Sequence, residues 1–490
     1  MRTAGQLPPP RRRADNGRVA TTTQTNITIV GLGPGDASLL TVAARDALAS
    51  AGEVWLRTSR HPTVPGLPAG PAYHSFDDAY EQKPSFDAVY LAIVARVLEL
   101  GRRPEGVVYA VPGHPMFGEA TVQALLLGAA QAGLTARIVP GVSFVDTVAV
   151  ALGVDPITDG LLLLDALALG ERKRLLTPQR PTIIAQVYDR RAASRAKLAL
   201  LESYPPEHPV RVVGASGTGE ERVIETTVAS LDHDERLFDH LATLYVPPLG
   251  LVDDTRSFEG LRRVVAQLRN PDGGCPWDLE QTHETLKRYL LEEAYEALDA
   301  LDAGEPHRLA EELGDLMMQV LLHAQVAEDE GEFTIEEVVS SIAAKLVRRH
   351  PHVFGDVEVT GAQEVLRNWE TLKKEERAGS DTSPLDHVPI AMPALAQAQS
   401  LQSRASKAGV GQPPVSAEAL ARAVRDLASS ADEATRASQG NAAERLGDLL
   451  FGIVALARAR DLDAEEALRM AARRFRAAVE ARERPTREAS

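Results

Sequence analysis

The chain has 490 residues, of which 44% are hydrophobic and 25% are charged, as is typical of folded proteins with two to four domains. Its formal net charge of −16 argues against broad binding to nucleic acid phosphates. The single cysteine, Cys275, excludes an internal disulfide framework and favours a reducing cytoplasm. No apolar run approaches the roughly 18–20 residues that span a membrane. From the charge we expect no nucleic acid as partner, and from the lack of such a run we expect no membrane.

Residues 1–26 are basic, contain several prolines and have almost no large apolar side chains. Their arginine cluster is not followed by the apolar stretch of a secretory signal. We therefore predict a disordered basic tail with no role in the function.

The first folded segment is predicted at residues 27–48, ITIVGLGPGDASLLTVAARDAL. It has the pattern of a strand, a glycine-rich loop and a helix, which presents backbone N–H groups at the end of the strand. Gly31 and Gly33 fit the start of the dinucleotide-binding motif, but Asp36 occupies the position of its third glycine. Alone, this loop is a weak indication of ligand binding.

The same pattern recurs at residues 106–126 and 136–154, where Ser143 is placed as a helix cap. Three strand–loop–helix units predict a largely parallel sheet whose loops gather at one edge. Strand-like runs continue through residues 160–248, and residues 251–260 have the composition of a linker.

As a set, the GLGPGD, PGHPMFGEA and PGVSF segments resemble the tetrapyrrole (corrin/porphyrin) methylase family over residues 27–250. The resemblance implies an α/β domain that uses S-adenosylmethionine. His114 stands where many members of that family carry an acidic residue, so an active methyltransferase and a retained scaffold both stay open. The cofactor residues that the resemblance implies are Gly33, Pro34, Gly35, Gly113, His114, Pro115 and Ser143.

From residue 259 onward, helical periodicity replaces the strand patterns. Residues 290–319 predict two helices joined by a turn near Gly304, each with an apolar stripe. Antiparallel pairing about that turn places Glu293 opposite Asp315 and Glu296 opposite Glu312.

Four converging carboxylates destabilise a fold unless a cation compensates them, because two unit charges about 4 Å apart repel by roughly 4 kcal/mol at an effective dielectric near 20. Carboxylate oxygens are the ligands that Mg²⁺ prefers, and Mg²⁺ commonly bridges to substrate phosphates. A solvated acidic helix face is the simpler alternative for a single such pair. Two pairs facing each other across a hairpin favour a magnesium site.

Residues 259–378 resemble the MazG-type nucleoside triphosphate pyrophosphohydrolases, which are all-α enzymes. The motif EExxE…ExxD stands as Glu292, Glu293, Glu296, Glu312 and Asp315. The resemblance implies that the last four hold Mg²⁺, and that a nucleoside triphosphate is hydrolysed to a monophosphate and pyrophosphate. Glu292 is expected either to ligate a metal or to orient the water, and its spacing does not decide between these roles.

Phosphates also need cationic partners. On predicted helices, Lys345, Arg348, Arg349 and Lys373 are candidates for phosphate binding, and Trp369 is a candidate for stacking on a base. The alternative is that Trp369 belongs to the core and the basic residues form surface ion pairs.

Residues 390–484 look like a degenerate duplicate of the preceding helical domain. The sequence ERLGDLLFGIVALA at 444–457 parallels EELGDLMMQVLLHA at 311–324, but Arg445 replaces Glu312 and only Asp448 matches Asp315. By the same spacing Asp426 matches Glu293, whereas Ser429 replaces Glu296. We expect this copy to bind no metal pair and to pack against other helices.

The sequence thus predicts a multidomain cytoplasmic enzyme, with an α/β methylase-like domain followed by all-α domains. The expected boundaries are 1–26, 27–250, 256–378 and 390–484. A homodimer or higher homo-oligomer through the helical domains is expected. Two other functions stay open: a methyltransferase with a helical oligomerisation module, and a non-catalytic nucleotide sensor.

Overall fold

The computed structural model describes residues 25–169, 176–375, 383, 385–386, 388–410, 416–429 and 436–483. Residues 1–24 of the predicted tail, and the side chains of Lys373 and Ser429, lie outside the described part. Two compact units are present, Met1–Ser340 and Ser341–Ser490. None of the helices within the described ranges is long and apolar enough to cross a membrane.

The first unit begins with a five-stranded parallel sheet of order β3-β2-β4-β1-β5. The interior strand β1 is fully buried at Ile27, Ile29 and Val30, because helices cover both faces of the sheet. The parallel sheet predicted from the three strand–loop–helix units is therefore confirmed. The strands are β1 (Ile27–Gly31), β2 (Glu53–Leu56), β3 (Ala72–Ser75), β4 (Val107–Val111) and β5 (Ala136–Val139).

Side-chain caps fix where the helices on this sheet begin. Thr41 and Ser85 accept hydrogen bonds from backbone N–H groups of the first turn, and Ser143 forms a capping box with Asp146. Ser143 is thus a helix cap, as predicted. The helices are α1 (Val42–Ala49), α2 (Asp77–Gln82), α3 (Phe86–Leu100), α4 (Ala120–Gln131) and α5 (Phe144–Leu152).

A second five-stranded sheet has the order β6-β7-β10-β8-β9 and is mixed. Strands β6 and β7 run parallel, and the other neighbours are antiparallel. The β8–β9 pair is antiparallel because the short turn 215–221 joins the two strands directly. The alanine-rich face of α7 packs on this sheet. The elements are β6 (Leu162–Asp165), α6 (Ala166–Leu169), β7 (Thr182–Ala185), α7 (Arg190–Leu200), β8 (Pro209–Gly214), β9 (Arg222–Thr227) and β10 (Thr243–Val246).

The segment with linker composition is anchored to the preceding domain. Asp254 is 1% exposed and accepts hydrogen bonds from the Gln179 amide and the Ser257 hydroxyl. Ser257 also caps the next helix. The chain therefore enters its helical part from a fixed position.

The predicted hairpin is confirmed as α10 and α11. Thr282 caps α10, Gly304 ends it with φ +68°, and Pro306 begins α11. The open end of the hairpin, away from Gly304, packs on α8. The residues in this contact are Val265, Leu286, Leu321, Leu322 and Val326. The elements are α8 (Phe258–Leu268), α9 (Pro276–Leu279), α10 (His283–Ala303) and α11 (Pro306–Glu330).

The predicted apolar stripes are only partly buried within this chain. Ala297 lies in the interface, but several larger side chains of the stripes are 37–56% exposed. These are Leu291, Leu298, Leu301, Leu313 and Met317. Within the described chain the hairpin therefore leaves an uncovered apolar face towards its closed end.

In the described part of the chain, the elements that follow are all helices. In the second unit α15 packs on α17 and α18, and α16 packs on α17. The helices are α12 (Ile335–Arg349), α13 (Pro351–Phe354), α14 (Ala362–Glu375), α15 (Ala394–Lys407), α16 (Ala417–Ser429), α17 (Arg436–Arg458) and α18 (Ala464–Glu483).

Candidate metal centre and cofactor loops

Three of the predicted ligands meet across the hairpin. One carboxylate oxygen from each of Glu293, Glu296 and Glu312 lies within 4.8 Å of the other two. Glu293 and Glu296 are three residues apart on α10, so both side chains point towards α11. Hard oxygen donors at this separation fit a divalent cation such as Mg²⁺.

Asp315 lies outside this group of three but acts on it electrostatically. Partial burial is the largest cause that raises the pKa of Glu293, followed by the charges of Asp315, Glu296, Glu292 and Glu312. The five acidic residues of the motif therefore share one electrostatic environment. Burial and neighbouring like charges both disfavour the ionised form of a carboxylate, so the pKa of Glu293 rises.

The sequence interpretation overlooked Arg308. Its guanidinium Nε donates to Glu312 Oε1 at 3.3 Å, and Nη1 lies 3.5 Å from Glu305 Oε2. The hydrogen bond to Glu312 is the largest cause that raises the pKa of Arg308. The spacing of four residues between Arg308 and Glu312 on one predicted helix could have indicated this ion pair.

The basic and aromatic candidates lie on two other helices. Lys345, Arg348 and Arg349 occupy the last turns of α12, and Arg348 is exposed. Trp369 is on α14 with its indole Nε1 buried and its ring 6.1 Å from that of His350. Lys373 is on the same helix.

The duplicate does not reproduce the cluster. Asp426 lies on α16, and Arg445 and Asp448 lie exposed on α17. Among the residues that the structure describes, no group of three metal-ligating side chains includes any of them.

In the first domain, the loops after β1 and β4 are joined to each other. The Gly33 N–H donates to the Gly113 carbonyl at 3.1 Å, and the Gly113 N–H donates to the Gly33 carbonyl at 2.8 Å. These two N–H groups are therefore used between the loops. The third loop approaches closely, since a Cβ on Gly141 would lie 2.5 Å from the Gly113 carbonyl oxygen.

The two paired glycines differ in the space beside them. A Cβ on Gly33 would lie 3.0 Å from the Leu39 carbonyl oxygen, whereas a Cβ on Gly113 would meet nothing within 4 Å. The open space at Gly113 suits a cofactor that approaches the backbone. Beside it, His114 accepts a hydrogen bond from the Met116 N–H and packs edge-on against Phe117.

Residues that the sequence analysis did not identify brace these loops. The buried Thr63 hydroxyl lies 3.1 Å from the Leu32 carbonyl and 2.7 Å from the Gly35 carbonyl. His61 is 6% exposed, and burial, followed by the charges of His240 and Arg57, lowers its pKa from 6.5 to about 4. His61 is therefore neutral at pH 7.

This burial predicts an acid-sensitive domain. Because the pKa of His61 is lower in the folded than in the unfolded chain, its contribution to stability is complete above pH 6.5 and is lost as the pH falls towards 4. The loss is about 3 kcal/mol. We expect His61→Gln to reduce the fall in melting temperature between pH 7 and pH 4, measured by calorimetry. The exposed His233→Gln is the control, and equal acid sensitivity in both variants would contradict the prediction.

Two family models match the chain. Residues 26–232 match the tetrapyrrole (corrin/porphyrin) methylases, and residues 281–354 match the MazG nucleotide pyrophosphohydrolase domain. Together with the two sheets and the carboxylate hairpin, these matches define an α/β methylase domain followed by helices that contain a MazG domain.

One relative matches nearly the whole chain, and others match one part of it. The uncharacterized protein YabN of Bacillus subtilis is 40% identical over 92% of this chain and 91% of its own. The nucleoside triphosphate pyrophosphohydrolase/pyrophosphatase MazG of Thermotoga maritima is 40% identical over 44% of this chain and 82% of its own. Uroporphyrin-III-C-methyltransferase from Thermus thermophilus is 26% identical, with a TM-score of 0.35 over 46% of this chain and 93% of its own. This chain belongs to the MazG nucleotide pyrophosphohydrolase family and carries a tetrapyrrole methylase domain.

Proposed function

We propose that the α10–α11 hairpin hydrolyses nucleoside triphosphates to monophosphates and pyrophosphate with the help of Mg²⁺. The convergence of Glu293, Glu296 and Glu312 is the observation that carries this proposal. The relatives from Thermotoga maritima and Escherichia coli are named nucleoside triphosphate pyrophosphohydrolases. Their names support nucleoside triphosphates as the substrate class.

The carboxylates have distinct tasks in this proposal. Glu293, Glu296, Glu312 and Asp315 would hold the cation, while Glu292 would either ligate a metal or orient the attacking water. A bound Mg²⁺ neutralises phosphate charge and lowers the pKa of its water. Arg308 lies against Glu312 and exchanges that contact for a phosphate when substrate enters. The water oxygen forms the new bond to phosphorus as the link between the α and β phosphates breaks.

Other residues are candidates for contacts with the substrate. Lys345, Arg348, Arg349 and Lys373 are proposed to bind phosphates, and Trp369 is the candidate for stacking on the base that the sequence indicated. The exposed apolar residues of the hairpin support a homo-oligomer, and the free thiol of Cys275 supports a reducing cytoplasm. We propose the domain boundaries 27–250, 256–378 and 390–484.

A panel of canonical, deoxy and damaged nucleoside triphosphates, assayed for pyrophosphate with and without Mg²⁺, tests the main proposal. We expect Mg²⁺-dependent release of one pyrophosphate for each monophosphate formed. Release of inorganic phosphate alone, or binding without turnover, would favour a different hydrolase or a nucleotide sensor.

We further propose that the first domain binds S-adenosylmethionine beside Gly113, with Pro34, Gly35, Pro115 and Ser143 around it. A Cβ would fill the open space at Gly113, so Gly113→Ala is expected to weaken binding about tenfold or more in calorimetry. Gly133→Ala is the control, because Gly133 has a similar φ of +69° and equally open surroundings. No binding by the wild type would indicate a retained scaffold.

A further inference from the structure

A large aromatic side chain is exposed at the open end of the hairpin. Trp277, on the short helix α9, is 48% exposed, and its ring lies 5.7 Å from that of Tyr289 at an angle of 70°. The half-exposed indole, set beside a second aromatic ring, presents a flat apolar face on which a base can stack.

The segment that carries Trp277 is held firmly. The Gln281 amide donates to the Trp277 carbonyl at 2.8 Å. The buried Arg269 donates to the carbonyls of Asp278 and Gln281 at 2.5 and 3.1 Å. An indole fixed in this way loses little conformational freedom when a ligand stacks on it.

Its position relates Trp277 to the carboxylates. Tyr289 precedes Glu293 by four residues and Glu296 by seven, so the three side chains lie along one stripe of α10. One helical turn of roughly 5–6 Å separates Tyr289 from Glu293. The Arg288 guanidinium lies 4.4 Å above the Tyr289 ring and adds a positive charge beside the stripe. An aromatic surface, a cation and a carboxylate cluster thus follow one another along the helix.

We propose that Trp277 binds the base of the nucleoside triphosphate by stacking, while the triphosphate lies along α10 towards Glu293 and Glu296. This inference rests on the proposed function and specifies how that site distinguishes a nucleotide from a bare polyphosphate. Stacking tolerates every base, because each base has a π face. Trp277 therefore supports a site that accepts several nucleobases.

Two ligands separate base binding from a structural role. One is a nucleoside triphosphate with a methylene group between the α and β phosphates, which is not cleaved there; the other is inorganic tripolyphosphate, which lacks a base. With the full chain and Mg²⁺, we expect Trp277→Ala to weaken the binding of the nucleotide about tenfold. The binding of tripolyphosphate should weaken less than about twofold. Trp277→Phe should restore nucleotide binding to within about threefold of wild type.

Each outcome decides the inference. Unchanged nucleotide affinity in Trp277→Ala overturns it, as does an equal loss for both ligands, which would indicate a structural role. The inference is also overturned if nucleotide affinity falls in Trp369→Ala but not in Trp277→Ala. Because binding is measured directly, a wild type that binds nucleotide without releasing pyrophosphate refutes the proposed hydrolysis while still testing Trp277. A wild type that binds neither ligand refutes both.

Discussion

Pyrophosphate release is expected to fall at least about 100-fold in Glu296→Gln and in Asp315→Asn. Loss of groups that merely support metal ligands commonly costs 10- to 100-fold, so loss of a ligand itself costs no less. Both variants keep the size of the side chain but remove the charge that holds the cation. The measurement is turnover at saturating Mg²⁺ with the preferred nucleotide.

The duplicate supplies a matched control for this experiment. Asp448→Asn makes the same chemical change at the corresponding position of α17, where Arg445 replaces a ligand and the described residues form no metal cluster. We expect it to keep wild-type turnover. Comparable loss in Asp448→Asn and Asp315→Asn would show that the duplicate has a working site.

Stability adds a second readout to the same variants. Glu296→Gln removes a like charge beside Glu293, whose pKa is raised by burial and then by Asp315 and Glu296. Without Mg²⁺ the variant should melt at the same temperature as the wild type or slightly higher. Added Mg²⁺ should stabilise the wild type by mass action and the variant less. Unchanged turnover in Glu296→Gln would contradict the proposal that these carboxylates form a metal site.

The carboxylate hairpin could be predicted from sequence because its information is local. Spacings of three and four residues fix which side chains share a helix face, and Gly304 and Pro306 mark the turn. The three strand–loop–helix units were predictable for the same reason. Each of these units lies within one short stretch, at residues 27–48, 106–126 and 136–154.

Features that depend on long-range pairing were not predictable. The Gly33–Gly113 hydrogen bonds join residues 80 positions apart, so no local pattern indicates them. His61 gave no local signal either, since its lowered pKa follows from burial and from His240 and Arg57. The exposure of Leu298 and Met317 follows from the packing of whole helices. Periodicity identifies an apolar face but not what covers it.

The role of Arg269 also depends on long-range packing. Its replacement is expected to have the second large effect, which is on stability. It is 8% exposed at the end of α8, and its Nε donates to Asp329 Oδ2 at 2.7 Å on α11. Through the carbonyls of Asp278 and Gln281 it also holds the segment that carries Trp277. One buried cation thus joins α8, the loop around α9 and the end of α11.

Arg269→Met is expected to destabilise the helical part by about 3 kcal/mol. Removing one partner of a buried pair costs about 3–5 kcal/mol, and the lower end applies because the Asp329 side chain stays 34% exposed. The two carbonyls also lose their donor. Urea unfolding should be followed by Trp277 emission after Trp55→Phe and Trp369→Phe remove the other indoles.

Arg262→Met is the control for Arg269→Met on the same helix. Arg262 pairs with Glu259 at 2.7 Å, but the pair lies within one turn of α8 with side chains 31% and 42% exposed. Such pairs contribute less than about 1 kcal/mol, so the urea midpoint should hardly move. If Arg269→Met left the midpoint as high as Arg262→Met does, Arg269 would not hold the three segments together. The rigid support inferred for Trp277 would then have to come from Tyr289 and Gln281 alone.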